Sequence, residues 1–244
     1  MVNLLEILAK MNPNQRINYD RVLQQMIKRW QAENTRPTIL LHSCCAPCST
    51  ATLEYLVDLA DVTVYFANHN IHPRAEYERR KIVQEQFIQE FNRQTGSQVQ
   101  FLAAAYEPNK FTQMVKEKGL AAEKEGGKRC TACFQMRLDI VAQKAAQEGF
   151  DYFGSALTLS PKKNSQLINE LGIEIQEFFD TQYLPSDFKK NNGYKRSIDL
   201  CKEYKVYRQC YCGCLFAAKE QGVDLNAVQK EATAFVKAHM ATGR

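Results

Sequence analysis

The sequence has no long hydrophobic run: no stretch of its 244 residues approaches the ~18 apolar residues a membrane helix requires. The opening MVNLLEILAK carries Glu6 inside an apolar stretch too short for a secretory core. The expectation is a cytoplasmic protein with no membrane partner. Cysteine is too sparse for a disulfide scaffold: there are nine, well under the ~8–10% that marks one, and the count is odd. Charge of one sign is in small excess, 32 Lys+Arg against 27 Asp+Glu, which is compatible with a nucleic-acid partner and does not demand one. Repeats, low-complexity segments and linkers are missing, which favours one domain. With 45% apolar and 24% charged residues the composition is globular, and a chain of this size buries roughly 70% of its unfolded surface.

What is present is an alternation of strand and helix patterns. Residues 1–36 form a helical lead-in, with Tyr19, Leu23, Met26, Ile27 and Trp30 at helical spacing. Pro37 breaks it. Strands are predicted at 38–43, 62–67, 99–104 and from 152. Helices are predicted at 52–59, with Pro47 in the first turn, and at 73–94, 108–118, 131–147 and 225–240. The pattern weakens after residue 160. Such alternation predicts an α/β fold, a parallel sheet with helices on both faces and a helical C-terminal part. Ligand sites in such sheets lie at the carboxyl ends of the strands. The first strand–helix junction, SCCAPCST, contains no glycine and no P-loop pattern, so nothing in it cradles phosphate.

Eight of the nine cysteines are clustered: Cys44, Cys45 and Cys48 in HSCCAPCST, Cys130 and Cys133 in KRCTACF, and Cys210, Cys212 and Cys214 in RQCYCGCLF. The first two groups open helices, where free backbone N–H groups and the helix dipole favour thiolates. Lys128 and Arg129 are expected to lower the CxxC thiol pKa further. Gly213 permits a tight bend between Cys212 and Cys214. Cys201 and Cys210 read as small buried hydrophobes. Clustered thiols in a reducing compartment serve metals or redox chemistry. The CxxC suits a zinc site but the CC does not, because adjacent side chains diverge from a single ion. A multi-iron cluster tolerates that divergence. Cys212 and Cys214 could also form a strained, reducible disulfide. Two other readings stay open at this level: a zinc-stabilised nucleic-acid-binding module without redox activity, and a thiol reductase of small molecules.

HSCCAPCST, NIHPRAEYERR, KRCTACFQMRL, LTLSPKK, DFKKNNGYKRS and YRQCYCGC resemble, in that order from about residue 38 to 216, the signatures of the epoxyqueuosine reductases of the QueH type. Two departures are a looser LTLSPKK and Cys48, where some members carry Asp. The resemblance implies a Rossmann-like fold of the HUP class and a reductase domain over 37–244, with 1–36 as an N-terminal extension. It implies reduction of epoxyqueuosine to queuosine at the tRNA wobble position, the last step of that modification. It places 4Fe-4S ligands on Cys44, Cys45, Cys130 and Cys133, and a redox-active pair on Cys212 and Cys214. A second, mononuclear iron using some of Cys44, Cys45, Cys48, Cys212 and Cys214 is the alternative partition.

Removing the epoxide oxygen as water requires two electrons, hence an external electron donor, and protons. His42 and His72 are candidate proton sources on placement, or else they orient backbone near the site; His69 has no assigned role. Phosphate contacts to the anticodon region are expected from Lys189, Lys190, Lys195 and Arg196, with Arg74, Arg79, Arg80, Lys128 and Arg129 as further candidates. Tyr77 and Tyr194 could stack on a splayed base or pack in the core.

Overall fold

The computed structural model describes residues 4–9 and 15–241. The chain runs α1 (Leu4–Leu8), α2 (Tyr19–Ala32), β1 (Thr38–His42), α3 (Ala46–Leu56), β2 (Asp61–Phe66), α4 (Arg74–Thr95), β3 (Gln100–Ala103), α5 (Pro108–Glu117), α6 (Lys128–Glu148), β4 (Tyr152–Ser155), α7 (Ser165–Ile175), β5 (Gln182–Tyr183), α8 (Gly193–Glu203), α9 (Leu215–Glu220) and α10 (Leu225–Ala241). Of the expected lead-in over 1–36, residues 1–3 and 10–14 lie outside the described residues, as do 242–244 at the other end.

The strands form one parallel sheet in the order β3–β2–β1–β4–β5. This is the doubly wound arrangement of the Rossmann type. The winding direction reverses between β1 and β4, and the crevice for ligands opens there, beyond the strand ends. β1 is the central strand: Ile39, Leu40 and Leu41 are fully buried, as a run covered by helices on both faces must be. Its start is tied to β4, because Thr38 donates from both N and Oγ1 to Asp151 Oδ2, at 2.8 and 2.9 Å. At its far end His42 pairs in register with Tyr65 and Ser155.

α2 buries Val22, Leu23, Met26, Ile27 and Trp30 in the same core as β1. Trp30 Nε1 donates to the Tyr152 hydroxyl at 3.3 Å, so α2 is fastened to β4. Each expected strand and helix has a counterpart, with ends shifted by a few residues. The weak region after 160 holds α7, the two-residue β5, α8 and α9. β5 escapes pattern reading because two residues show no period; what fixes it is a close approach. A Cβ on Gly172 of α7 would lie 2.3 Å from the Tyr183 ring, so only glycine lets that ring lie flat against the helix. β3 is the far edge strand and is mostly exposed. Among the described residues no helix is long and apolar enough to cross a membrane.

Candidate metal centre

β1 ends at His42, and the chain turns through Ser43, Cys44 and Cys45 into α3. Cys45 is the extended N-cap residue, and Pro47 sits in the first turn, where its missing N–H leaves no bond unmade. One turn on, Cys48 faces back. The three sulfurs lie 3.5 Å (Cys44–Cys45), 3.5 Å (Cys45–Cys48) and 3.9 Å (Cys44–Cys48) apart, a triad close enough to share a metal. Gln209 Nε2 donates to Cys45 Sγ at 2.9 Å. Hydrogen bonds from Cys44 and Cys48, with the Arg80 charge, make Cys45 the most acidic thiol of the three, well below the ordinary thiol value.

The second and third cysteine groups meet next to this triad. Cys130 and Cys133 occupy the first turns of α6, and Cys212 and Cys214 precede α9. All four line one small cavity with Arg137 and Lys163. Cys212 and Lys163 also line a second, larger cavity of about 270 Å³, together with Cys44 and Cys48. That volume sits just under the lower end of small-ligand pockets, about 300–1,000 Å³. Six of the seven cysteines, drawn from segments far apart in sequence, thus line two adjoining spaces at the carboxyl ends of β1 and β4, and the seventh, Cys45, lies behind them with its sulfur 3.5 Å from that of Cys44. All nine thiols are free.

The cations that face the sulfurs are not the expected ones. Arg129 borders the small cavity too, but its guanidinium is engaged elsewhere: Nη1 donates to the carbonyls of Ala121 and Glu123, and Nη2 lies 3.6 Å from Glu220. Burial instead pushes the Cys130 thiol up, against the Gly126 N–H, which donates to it at 3.2 Å. The expected lowering by Lys128 and Arg129 is therefore corrected at Cys130. The facing cations are Arg137, whose Nη2 donates to Cys133 Sγ at 3.2 Å, and Lys163, whose Nζ donates to Cys212 Sγ at 3.3 Å. Burial raises the Cys212 thiol, but Lys163 and Arg137 reverse that, and its pKa ends below the ordinary value. Burial pushes Cys214 up to about 11. Sequence reading missed both cations. Arg137 was visible as the i+4 neighbour of Cys133 on one helix face, and Lys163 as part of LTLSPKK.

The CYCGC segment is held from behind by α4. Arg80, buried and paired with Glu76 at 2.7 Å, donates from Nη1 to the Cys212 carbonyl at 3.1 Å and from Nη2 to the Tyr211 carbonyl at 3.2 Å. The His72 N–H donates to the Gly213 carbonyl at 2.8 Å, and the Tyr211 hydroxyl to the His72 carbonyl.

A family model described as "Epoxyqueuosine reductase QueH" matches residues 39–220, a span that takes in every one of these cysteines. A protein of Staphylococcus aureus with that name is 62% identical over 97% of this chain and 98% of its own length. One of Streptococcus pyogenes is 63% identical over 97% and 92%, and one of Thermotoga maritima 34% identical over 75% and 92%. The chain belongs to the QueH family of epoxyqueuosine reductases. Like its family, it is an oxidoreductase.

Elsewhere on this QueH chain the other expected residues sort by burial. Arg80 and Arg129 are buried in protein contacts and cannot reach phosphate, which corrects their reading. Arg79 lies over the Tyr207 ring, 3.5 Å from its centroid. Arg196 grips Glu54 with two nitrogens, the shorter bond 2.5 Å. Lys189 is drawn inward to Ser165 Oγ at 3.0 Å and Asp187 at 3.3 Å. Lys190, Lys195, Lys128 and Arg74 are exposed. Tyr77 is a core residue, stacked on Tyr106 with ring centroids 4.2 Å apart. Tyr194 lines the larger cavity beside Arg208. Cys201 is buried as expected, but Cys210 is exposed at the mouth of that cavity, because Tyr211 rather than Cys210 turns into the core.

The histidines are held by backbone. His42 is fully buried, Nδ1 3.2 Å from Ser155 Oγ and Nε2 3.2 Å from the Ala67 carbonyl. Burial, with Arg137 nearby, pushes its pKa down to about 4. It is a neutral clamp between the ends of β1, β2 and β4. His72 Nδ1 meets the Asn70 carbonyl at 3.1 Å, and His69 Nδ1 accepts from the Glu107 N–H at 3.2 Å.

Proposed function

We propose that this chain reduces epoxyqueuosine to queuosine at the wobble position of tRNA, the last step of queuosine formation, in the cytoplasm. Its reductase domain is 37–244, with 1–36 as an extension whose α2 packs into the same core. One observation carries the reading: seven thiols converge at the crevice where the sheet reverses its winding, beside a cavity just under small-ligand size.

The donor set fits an iron–sulfur cluster. Its ligands are all soft sulfur, which selects clusters and thiophilic metals. The divergent Cys44–Cys45 pair suits several irons better than one ion. Buried Arg137 keeps Nε and Nη1 without hydrogen-bond partners while its Nη2 donates to Cys133 Sγ. We assign Cys44, Cys45, Cys130 and Cys133 as the residues that would hold a 4Fe-4S cluster. Cys48, Cys212 and Cys214 remain for a second iron or, in the last two, a redox-active pair. When bound, such a cluster supplies single electrons, which an external donor replenishes.

The chain's own residues do the rest. Opening the epoxide to the alkene consumes two electrons and two protons and releases water. Cys44, Cys48, Cys212 and Lys163 form the inner wall of the larger cavity, and Tyr194 and Arg208 line it beside them. In that frame Tyr194 offers a stacking face for the flipped base and Arg208 a contact for its flanking phosphate. Exposed Lys190 and Lys195 extend the positive surface for the anticodon region.

Mass analysis of tRNA nucleosides from cells lacking this gene tests the reading. Accumulation of the epoxide nucleoside, restored to queuosine by the wild-type gene, is the expected result. Unchanged queuosine, or a purified chain that holds zinc and no sulfide, overturns it.

A further inference from the structure

Arg137 is an anomaly of charge. It is 1% exposed and always protonated. Its one hydrogen bond goes to a sulfur, Cys133 at 3.2 Å, while Nε and Nη1 have none. Lys163 repeats the pattern: its Nζ donates to Cys212 Sγ at 3.3 Å and lies 5.5 Å from the Phe134 ring centroid. Among the described residues no carboxylate forms an ion pair with either: Glu125 borders the same cavities, but its carboxylate accepts from the Gln221 amide. Removing one partner of a buried charge pair ordinarily costs about 3–5 kcal/mol. Two cations side by side in the same chamber therefore require negative charge there, and the groups that face them are Cys133, Cys212 and Cys44. The chamber is built for an anionic sulfur assembly.

Fixed positive charge has a direct redox consequence. A sulfur-ligated cluster gains one negative charge on reduction, and cations in a water-poor site favour the more negative state. Hydrogen bonds to the sulfurs act in the same direction. We propose that Arg137, seconded by Lys163, is a positioning residue that raises the reduction potential of the centre by holding permanent positive charge against Cys133, Cys212 and Cys44. The proposal rests on the reading that these thiols hold an iron–sulfur cluster.

The test is potentiometric titration of the anaerobically reconstituted protein, followed by visible absorbance and electron paramagnetic resonance, with iron and sulfide counted on every sample. Wild type is compared with Arg137→Gln, Arg137→Lys, Lys163→Gln and Lys163→Arg. The expected result is a midpoint shifted to more negative potential in both glutamine variants, with Arg137→Lys and Lys163→Arg close to wild type. Loss of iron from the glutamine variants alone, with the charge-keeping ones loaded, supports the same conclusion, because charge is then what retains the centre. One potential shared by all five proteins overturns the proposal, as does equal iron loss in Arg137→Lys and Arg137→Gln. Wild type that binds no iron and sulfide refutes the cluster reading itself, a result separate from these.

Discussion

Gly213 and Arg80 touch: a Cβ on Gly213 would lie 3.0 Å from Arg80 Nη1 and 2.9 Å from Ile71 Cγ1, and the backbone there has φ +107°. The bend that separates Cys212 from Cys214 thus closes onto a buried guanidinium with no room for a side chain. Gly213→Ala is expected to destabilise the fold by about 1–3 kcal/mol and to displace both cysteines. Gly119→Ala serves as control, since Gly119 has φ +64° with nothing within 4 Å. Thermal unfolding and turnover of both variants check this. An equal effect at the two positions would show that backbone strain alone, and not the contact with Arg80, is at work.

Arg80 is the second point of leverage. Arg80→Met strands the Glu76 carboxylate in the core and frees the carbonyls of Tyr211 and Cys212. The expected loss is about 3–5 kcal/mol, read by denaturant unfolding. A variant as stable as wild type contradicts the staple.

The cysteines divide by what their removal takes away. Cys130→Ala and Cys133→Ala are expected to abolish retention of iron and sulfide together. Cys48→Ala is expected to lower iron while leaving sulfide unchanged. Cys212→Ser with Cys214→Ser is expected to keep much of the cluster and lose turnover. Iron and sulfide assays with single-turnover kinetics separate the three; full iron content in Cys133→Ala removes that ligand from the set.

Stability on the acid side carries a histidine signature. Burial lowers the His69 pKa below its ordinary value, Glu107 opposes this, and Lys110 and Arg137 add to it. The unfolded chain therefore binds a proton at His69 more readily than the folded one, so stability is full above the unfolded pKa of about 6.5 and falls as pH drops below it. His69→Gln is expected to flatten the fall below about pH 6.5 relative to wild type. Parallel curves in denaturant titrations would remove His69 from the account.

For RNA, Lys190→Glu is expected to weaken tRNA binding and reduce its salt slope by about one. Arg196→Ala is expected to leave both unchanged, because Glu54 already holds that guanidinium. Binding isotherms at several salt concentrations decide.

How much of this was legible beforehand follows from what each residue depends on. β1, β2 and β4 were readable because an apolar run between turn residues can be little else, and the cysteine groups because sulfur clusters announce themselves by spacing. β5 and α8 were not: one is too short for a period, and the other lies in the weakly patterned region after residue 160. Charge was the least legible property. A sequence shows that a residue is Arg, not which way it points; Arg80, Arg129 and Arg137 are each at most 2% exposed, yet two were read as phosphate ligands and the third was passed over. Only the helix that carries Cys133 and Arg137 four residues apart offered a clue.

The docking of the Cys212–Cys214 loop against Arg80 and His72 has a consequence for the timing of synthesis. Cys212 and Cys214 come from downstream of every strand, and Cys212 shares a cavity with Cys44 and Cys48 of the first strand–helix junction. A nascent chain still missing that stretch has an open, half-walled chamber. A chain made only as far as Cys133 already carries the four thiols assigned to the cluster, whereas the wall that Cys212 and Cys214 supply closes only once the segment beyond β5 is in place.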